Sequence, residues 1–363
     1  MFDAFRSQPD LIVHSRQPFN AEPPLDRLRA AFVTGQQDFY VRCHGEIPAL
    51  DEASHRLRVG GRVGAPLDLS MRELRARFPR RTVTAVMQCA GNRRADYRQV
   101  RPVSGDPWQP GAIGNAAWTG VALADLLRAA GAEEAEGLHV AFAGCDEVEL
   151  DGERFRFGAS IPIAKALSPE VLLAFEMNGE KLAPEHGFPL RAVVPGHAGV
   201  RSAKWLAGIE VRDRPSDTLV QRKDYKLLPP HMRKETADWD AGMTIYDMPL
   251  NAAICEPAPG AALPAGATAL RGYAIATARK VMRVDVSIDG GRNWAQAELE
   301  RHPEAPWSWT FWQARVDLPP GEHELAVRAW DGAGQTQPAL PDDTWNFKGY
   351  LCAAWHRVRV SVG

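Results

Sequence analysis

The sequence predicts an α+β domain followed by an all-β sandwich, because its pattern changes once along the chain. Between about residues 57 and 250, short strand-like and helix-like segments mix without regular alternation, which favours an α+β fold over a doubly wound sheet. After Pro249, at least five short alternating or β-branched segments follow, most of them ending in Asp-Gly, Gly-Gly or Pro-Pro-Gly turns. Such spacing over roughly 110 residues is typical of a sandwich of immunoglobulin-like size.

The domain boundaries follow from these patterns. Residues 1–40 are polar with scattered prolines and are predicted to form an arm over the surface. The α+β domain is assigned to residues 41–248 and the sandwich to residues 249–363, since 363 residues accommodate two domains of ordinary size. A stretch rich in Pro, Gly and Ala, residues 256–267, is predicted to lack regular structure.

Three segments of the α+β domain show clear periodicity. Residues 82–88 alternate and are rich in β-branched side chains, which predicts a strand. Residues 121–131 have apolar positions at helical spacing and end in a glycine, which predicts a helix. Residues 137–144 form an apolar run between two glycines and predict another strand.

Composition and charge exclude several classes of protein. Apolar residues make up 45% and charged residues 24%, as in ordinary globular proteins, and the absence of any run of about 18 apolar residues predicts no membrane span. A formal net charge of −2 gives no general attraction for nucleic acid or an anionic membrane. The first residues lack the basic and apolar segments of a signal peptide, so a cytoplasmic location is expected.

One short stretch, "AVMQCAGNRR", concentrates reactive and charged groups. A strand-like run ends at Cys89 and is followed by the adjacent Arg93 and Arg94. The five cysteines of the chain are far apart and form no C-x-x-C, which excludes a disulfide framework and a zinc knuckle. Residues 80–101 contain six arginines and one acid, a concentration that suits either a small anion or a solvated basic face.

Three roles are open to Cys89 on these residues alone. It can be a buried filler, which is the usual role of a free cysteine. It can be a nucleophile whose pKa is lowered by the neighbouring arginines, which requires a base such as His44, His186 or His197. It can also be a soft metal ligand, in which case something other than the protein supplies the remaining donors.

The segment "MQCAGNRR" resembles the molybdenum-ligating segment of the sulfite oxidase family. The resemblance continues in family order through "YVRCHGEIP", "FGASIPIAKA", "HGFPLRAVVPGHAGVRSAKWL", "RGYAIA" and "AWHRVRV", and it covers about residues 40–363. It implies a molybdopterin-binding domain followed by a β-sandwich dimerisation domain, and so a homodimer. It also implies an enzyme that oxidises sulfite to sulfate by oxygen-atom transfer at an oxo-molybdenum centre.

The resemblance selects the third role for Cys89. It implies that this thiolate and the dithiolene of one molybdopterin hold the molybdenum, a soft ligand set that suits the metal. It further implies that Arg191 and Lys204 face the phosphate of the cofactor and that Asp146 accepts hydrogen bonds from the pterin. The complete set of implied cofactor contacts is His44, Asp146, His186, Arg191, Ser202 and Lys204.

The resemblance also implies a substrate pocket. Arg42 and Arg94 would bind the small sulfite oxyanion, Tyr273 would hydrogen-bond near the oxo group, and Trp118 would wall the site. One pocket position departs from the pattern, since "WNFKG" has Lys348 where the animal enzymes have the arginine of "WNLRG". Lysine keeps the charge but lacks the planar fork, so we expect weaker or altered oxyanion binding.

The sequence contains no C-x-x-C-H motif and no further domain before residue 40, so no haem is expected and the electrons would pass to an external acceptor. Three rival interpretations remain. On the same scaffold the chain would reduce nitrate or another oxidised sulfur or nitrogen compound. Alternatively, it would be a binding protein without a cofactor, or a hydrolase that uses Cys89 as its nucleophile.

Overall fold

The computed structural model describes residues 10–277 and 279–363. Up to residue 250 the strands are β1 (Ile12–Arg16), β2 (Phe19–Glu22), β3 (Val41–Arg42), β4 (Arg56–Gly61), β5 (Leu67–Ser70), β6 (Arg80–Gln88), β7 (Ile113–Ala122), β8 (His139–Leu150), β9 (Glu153–Pro162), β10 (Leu172–Met177), β11 (Glu180–Lys181), β12 (Arg191–Val193), β13 (Leu206–Arg212), β14 (Lys226–Leu227) and β15 (Met243–Thr244). The α-helices are α1 (Leu25–Arg29), α2 (Met71–Arg77), α3 (Arg94–Arg98), α4 (Leu123–Ala129) and α5 (Ile163–Ala166).

The first domain is built on two five-stranded sheets. One sheet has the order β11-β10-β7-β6, with β12 also paired to β10. The other has the order β5-β4-β13-β8-β9, in which β4 and β13 run parallel. One apolar cluster joins side chains from both sheets and both longer helices, for example Leu57, Leu74, Val121 and Leu126. A separate apolar cluster in the same domain includes Trp118 and Leu172.

Residues 10–40 are part of this domain. Strands β1, β2 and β3 form a three-stranded antiparallel sheet, and Asn20 and Glu22 are each no more than 2% exposed. Leu28 of α1 belongs instead to an apolar cluster with Ala253 and Cys255 of the second domain. The polar surface arm predicted for residues 1–40 therefore packs into the domain over its described part, and residues 1–9 lie outside the described residues. The sequence pattern conceals this packing because several of the buried side chains, such as Asn20 and Glu22, are polar and find polar partners.

The periodic segments of the first domain form the predicted elements. Strand β6 contains residues 82–88, and α4 lies within residues 121–131 with Leu126 and Leu127 fully buried. Strand β8 begins near the predicted position but runs past residue 144 to Leu150, because it forms a long hairpin with β9. Pairing with a neighbour therefore extends this strand beyond its apolar run.

The second domain contains the strands β16 (Asn251–Glu256), β17 (Ala262–Leu263), β18 (Gly266–Ile275), β19 (Val281–Ser287), β20 (Ala295–Gln296), β21 (Glu298–Glu300), β22 (Thr310–Leu318), β23 (Gly321–Asp331) and β24 (His356–Val362). They form two sheets, β16-β18-β22-β21 and β17-β24-β23-β19-β20, whose apolar side chains share one core. The stretch of residues 256–267, predicted to be irregular, carries the two-residue β17 and the start of β18.

Residues 341–354, which we call the return segment, leave the sandwich and pack against the first domain. The hydroxyl of Tyr97 on α3 donates to Thr344 O at 2.7 Å, and Leu351 N donates to Ala90 O at 2.8 Å. Tyr350 belongs to the apolar core of the first domain. The region predicted as a sandwich, residues 249–363, therefore also completes its neighbour.

Within the described residues, no helix combines the length and the apolar character needed to cross a bilayer.

Candidate functional site

A cavity lies at the end of β6, where Cys89 follows the strand. Its lining combines residues from the first strand pairs, the turn after β6 and the segments around β12 and β14. The polar and thiol side chains of the lining include Tyr40, Arg42, Cys43, His44, Cys89, Asp146, His186, Arg191, Ser202, Lys204 and Tyr225.

Cys89 is fixed at this cavity by the chain on both sides of it. Its N–H donates to Ala112 O at 2.9 Å, and Gly91 N–H donates to its Sγ at 3.4 Å. Burial raises the pKa of the thiol, while the guanidinium groups of Arg42 and Arg94 act in the opposite direction. The sulfur therefore lies beside two cations, which favour its thiolate form.

The histidines that could activate Cys89 as a nucleophile are engaged elsewhere. Each has another hydrogen-bond or ion-pair partner: His44 has Tyr225, His186 has the Gln36 carbonyl, and His197 has Asp247. Burial lowers the pKa of His44 and lowers that of His186 to about 3, so both imidazoles are weak bases. The described structure offers Cys89 no base, which argues against the hydrolase.

Two arginines near the thiol have only neutral hydrogen-bond partners among the described residues, so their positive charge is not balanced by a carboxylate. Arg42 lines the cavity from β3 and donates to Cys43 O. Arg94 begins α3, and its guanidinium donates to Gly349 O at 3.2 Å and to Asp106 O at 3.1 Å. Carbonyl oxygens orient these groups without neutralising them, so the pair suits a small anion.

The chain packs closely around Arg94 because it has glycine at three points. A Cβ at Gly91, Gly105 or Gly349 would lie 2.7 Å from an atom of the Arg94 side chain. Gly105 and Gly349 also have φ angles of 93° and 65°, which other residues adopt only with strain. The position of this guanidinium therefore depends on two separate turns, one of them in the return segment.

A second cationic pair consists of Arg191 on β12 and Lys204. Arg191 donates to His186 O at 2.8 Å and to Ser202 O at 3.2 Å, and Lys204 Nζ donates to Glu185 O at 2.8 Å. Burial lowers the pKa of both cations, that of Arg191 to about 10. Two buried cations held by carbonyl oxygens are suited to an anionic ligand such as a phosphate.

Asp146 is the acidic group of the cavity. Its side chain is buried, and Oδ1 has no hydrogen-bond partner within the described structure. Burial raises the pKa of the carboxyl group to about 6, although Lys204 acts in the opposite direction. A buried carboxylate oxygen without a partner is costly, so this atom is available to accept a hydrogen bond from a bound ligand.

The donors fit the cofactor that the sequence resemblance implies. One soft thiolate, a buried cationic pair and an unpartnered acceptor face a single cavity, as a metal with a phosphorylated pterin requires. Among the described residues, no cluster of three or more His, Cys, Asp or Glu side chains could hold a metal ion. A metal at Cys89 would therefore take its other ligands from an organic group.

Most of the predicted site residues converge on the cavity. Those on its lining are Arg42, His44, Cys89, Asp146, His186, Arg191, Ser202 and Lys204. Arg94 lies next to the lining, close enough to act on the charge of Cys89. Lys348 forms an ion pair with Asp224, the residue before Tyr225, and so approaches the cavity from outside the lining.

Two further predicted site residues lie away from the cavity lining. Trp118 is fully buried behind Arg191, whose guanidinium carbon lies 4.9 Å from its ring centre, and its Nε1 donates to Ala85 O at 3.1 Å. Tyr273 is fully buried on β18, and its hydroxyl donates to Pro110 O at 2.8 Å across the domain junction. Trp118 therefore supports a cavity residue, while Tyr273 ties the two domains together.

Sequence reasoning missed Tyr225, whose side chain lines the cavity. Its hydroxyl lies 2.8 Å from His44 Nε2, and its ring stacks on Tyr350 with the ring centres 5.1 Å apart. Burial raises the pKa of Tyr225 to about 12, so the hydroxyl keeps its proton and can donate it to a ligand. The only sequence signal is a tyrosine among charged residues, shortly before a Pro-Pro pair.

Two family models match the chain. The model described as "Oxidoreductase molybdopterin binding domain" matches residues 44–220, and that described as "Mo-co oxidoreductase dimerisation domain" matches residues 242–363. Together they cover well over half of the sequence, in the order that the two sequence patterns predict.

Similar proteins extend over nearly the whole chain. It is 45% identical to a sulfite oxidase of Gallus gallus, over 96% of this chain and 77% of that protein, and 43% identical to a mitochondrial sulfite oxidase of Homo sapiens, over 98% and 66%. It is also 38% identical to a nitrate reductase [NAD(P)H] of Hordeum vulgare, over 96% of this chain and 41% of that protein. Among solved structures, the sulfane dehydrogenase SoxCD of Paracoccus pantotrophus superposes with a TM-score of 0.82 at 27% identity, over 98% of this chain and 89% of that one.

Proposed function

Because the chain belongs to the sulfite oxidase family, we propose that it is a molybdenum oxidoreductase that oxidises sulfite to sulfate. The observation that carries the proposal is the position of Cys89: its sulfur is fixed at a cavity near two arginines, with a separate buried cationic pair and an unpartnered acceptor on the same lining. Its relatives named sulfite oxidase, at 38–45% identity, support this substrate.

The cofactor would be held by residues that the cavity already orients. Cys89 would bind the molybdenum, Arg191 and Lys204 would bind the phosphate, and Asp146 would accept from the N–H groups of the pterin. His44, His186 and Ser202 supply further polar contacts on the same lining. When bound, the molybdenum cofactor supplies the two-electron oxygen-atom-transfer chemistry that no side chain can provide.

The protein's own part in the reaction is to bind and orient the substrate. Arg42 and Arg94 attract the small oxyanion and hold it near Cys89 through charge-assisted hydrogen bonds. The protonated hydroxyl of Tyr225 donates a further hydrogen bond from the lining. Tyr273, the tyrosine assigned to this role by the sequence resemblance, bonds to Pro110 O instead.

Lys348 would act on the substrate indirectly. Its ion pair with Asp224 neutralises part of its charge and fixes it beside Tyr225. An arginine at this position could bond to Asp224 and still present further N–H groups. The weaker or altered oxyanion binding expected from the sequence stays a prediction.

The remaining features follow the family. We propose that the second domain is an immunoglobulin-like dimerisation module and that the protein is a homodimer, which the match to a dimerisation domain supports. Electrons would pass to an external acceptor, and the cytoplasmic location and the absence of haem stay predictions.

Reduction of nitrate is the second candidate function. The relative from Hordeum vulgare named nitrate reductase favours it, since the same arginine pair would accept another small oxyanion. Steady-state assays of purified holoprotein separate the two functions: sulfite-dependent reduction of an artificial acceptor supports the first, and nitrate-dependent oxidation of a reduced dye supports the second.

The proposal is tested by Cys89→Ser. We expect the variant to lose sulfite-dependent acceptor reduction by about a thousandfold or more, with a matching loss of molybdenum by elemental analysis, because a hydroxyl is a poor ligand for a soft metal site. Cys255→Ser is the control, since this buried cysteine lies on β16 in the second domain. Wild-type turnover in Cys89→Ser would contradict the ligand assignment.

A further inference from the structure

We propose that Asn20 and Asp106 are positioning residues that hold Arg42 and Arg94 as one anion-binding unit. The inference rests on the proposed function and adds two residues to it, neither of which lies on the cavity lining. One comes from the segment predicted to be a surface arm and the other from the loop that precedes β7.

Asn20 acts on Arg42 through strand pairing and its amide. The two residues are partners in the β2–β3 ladder. Asn20 Oδ1 accepts from Cys43 N at 2.8 Å and, at 3.5 Å, from Arg42 Nη1. Since the amide is only 2% exposed, water cannot easily replace either bond. The amide oxygen therefore fixes the backbone next to Arg42 and, together with Cys43 O, which accepts from the same Nη1, directs its guanidinium.

Asp106 connects this amide to the second arginine. Its Oδ2 accepts from Asn20 Nδ2 at 2.9 Å, while its backbone oxygen accepts from Arg94 Nη1 at 3.1 Å. A path thus runs from Arg42 through the Asn20 amide to the carboxylate of Asp106, whose backbone oxygen bonds to Arg94. Only a side chain with both an acceptor and a donor can occupy the middle of such a path, and asparagine has both.

A separate contact fixes the same loop to the same strand. Glu22, two residues after Asn20 on β2, is fully buried and accepts from Gln109 N at 2.7 Å. Strand β2 therefore holds the loop at Asp106 and again at Gln109. A loop held at two points is a firmer anchor for Arg94 than one held by a single exposed bond.

This arrangement matters because a free arginine side chain has many rotamers. Binding an anion with two mobile guanidinium groups would cost conformational free energy, which prior ordering of the pair avoids. Asp106 orders the pair without forming an ion pair with either guanidinium, as its carboxylate bonds to the Asn20 amide. The positive charge therefore stays directed at the ligand.

The test compares Asp106→Leu with Asp106→Asn in holoprotein. Leucine cannot accept from Asn20, whereas the amide oxygen of asparagine can, so the two changes remove the same charge but only one removes the hydrogen bond. We expect Asp106→Leu to raise the KM for sulfite and the Kd for sulfate, measured by calorimetry, about tenfold with kcat changed less than about twofold. Asp106→Asn should stay within about threefold of wild type in all three quantities.

A double-mutant cycle tests whether the two residues act through one bond. Asn20→Leu should also raise the KM and the sulfate Kd, and Asn20→Leu combined with Asp106→Leu should be no worse than Asn20→Leu alone. The matched control is Asn178→Leu, because Asn178 also accepts from a backbone N–H, that of Ala117, and donates to a carbonyl oxygen, that of Thr34. We expect this control to lower the melting temperature and leave the KM unchanged.

Two results would overturn the inference. One is an unchanged sulfate Kd in Asp106→Leu, and the other is an equal increase in Asp106→Leu and Asp106→Asn, which would assign the effect to charge. Failure of the proposed function looks different, since wild-type holoprotein would then fail to oxidise sulfite. The sulfate titration would still compare the variants in that case, because it measures anion binding without turnover.

Discussion

Arg93 and Arg94 are consecutive residues, yet their side chains lie in two regions that treat a buried positive charge differently. The guanidinium of Arg93 lies in the domain junction and bonds to Asp96 Oδ2, Asn251 Oδ1 and Ala354 O at 2.7–2.9 Å. That of Arg94 lies beside the cavity and bonds only to carbonyl oxygens among the described contacts. The left-handed backbone of Arg93, with φ of 65°, turns the two side chains in different directions.

The difference shows what separates a structural charge from a binding charge. At the junction, a buried cation has a carboxylate and two neutral acceptors, so folding alone compensates it. At the cavity, Lys204 and Arg191 have carbonyl partners and Asp146 Oδ1 has none. At the junction the buried charge is balanced by protein groups alone. At the cavity the buried charges are left for a ligand to balance.

The largest effect on stability is expected from removing Arg93, the buried cation that is paired with a carboxylate. Arg93→Met should lower the free energy of unfolding by about 3–5 kcal/mol, because it leaves Asp96 and two acceptors without their partner in a buried junction. Chemical denaturation measures the loss. Arg154→Met is the control: its exposed pair with Glu149 is worth less than about 1 kcal/mol. A similar small loss in Arg93→Met would show that the junction does not depend on this charge.

A smaller effect on stability is expected from Asp146, the buried acid of the cavity. The pKa of Asp146 is raised to about 6 from 3.8, so the folded protein binds this proton more tightly than the unfolded chain does. In protein prepared without cofactor, this contribution is complete below about pH 4 and is lost as the pH rises through about 6. Asp146→Asn should remove this loss of stability and stabilise the cofactor-free protein at pH 7 by about 3 kcal/mol.

Thermal unfolding of both proteins between pH 4 and 7 tests this prediction. Parallel stability curves for wild type and Asp146→Asn would mean that the carboxyl group is already compensated. The same change should weaken retention of the pterin in holoprotein, because the amide replaces one acceptor oxygen with a donor.

The smallest effect distinguishes the two tyrosines. Tyr225→Phe removes a hydroxyl from the cavity lining and should lower kcat/KM for sulfite about tenfold. Tyr273→Phe removes a hydroxyl bonded to Pro110 O and should leave kcat/KM unchanged while costing about 1 kcal/mol of stability. A larger kinetic loss in Tyr273→Phe would reinstate the residue that the sequence resemblance implies.

The family, the order of the domains and eight residues of the cavity lining could be predicted from the sequence, and the comparisons confirm the family. Cys89 and Arg191 belong to contiguous motifs, so local sequence identifies them. Tyr225 could not be identified in this way, because it follows the π-helical turn Val220–Asp224, whose conformation depends on its surroundings. Asn20 was missed since a buried polar residue looks like a surface residue until its partners are known.

The return segment determines which residues must be kept when the two domains are exchanged between relatives. Its Gly349 and Tyr350 contact Arg94, although they follow most of the sandwich in the chain. Exchanging the second domain with that of a relative at the linker near residue 249 would therefore import a foreign wall for the substrate pocket. A hybrid meant to keep this enzyme's substrate selectivity must retain residues 341–354 together with the first domain. The residues that set selectivity are therefore not contiguous in the sequence.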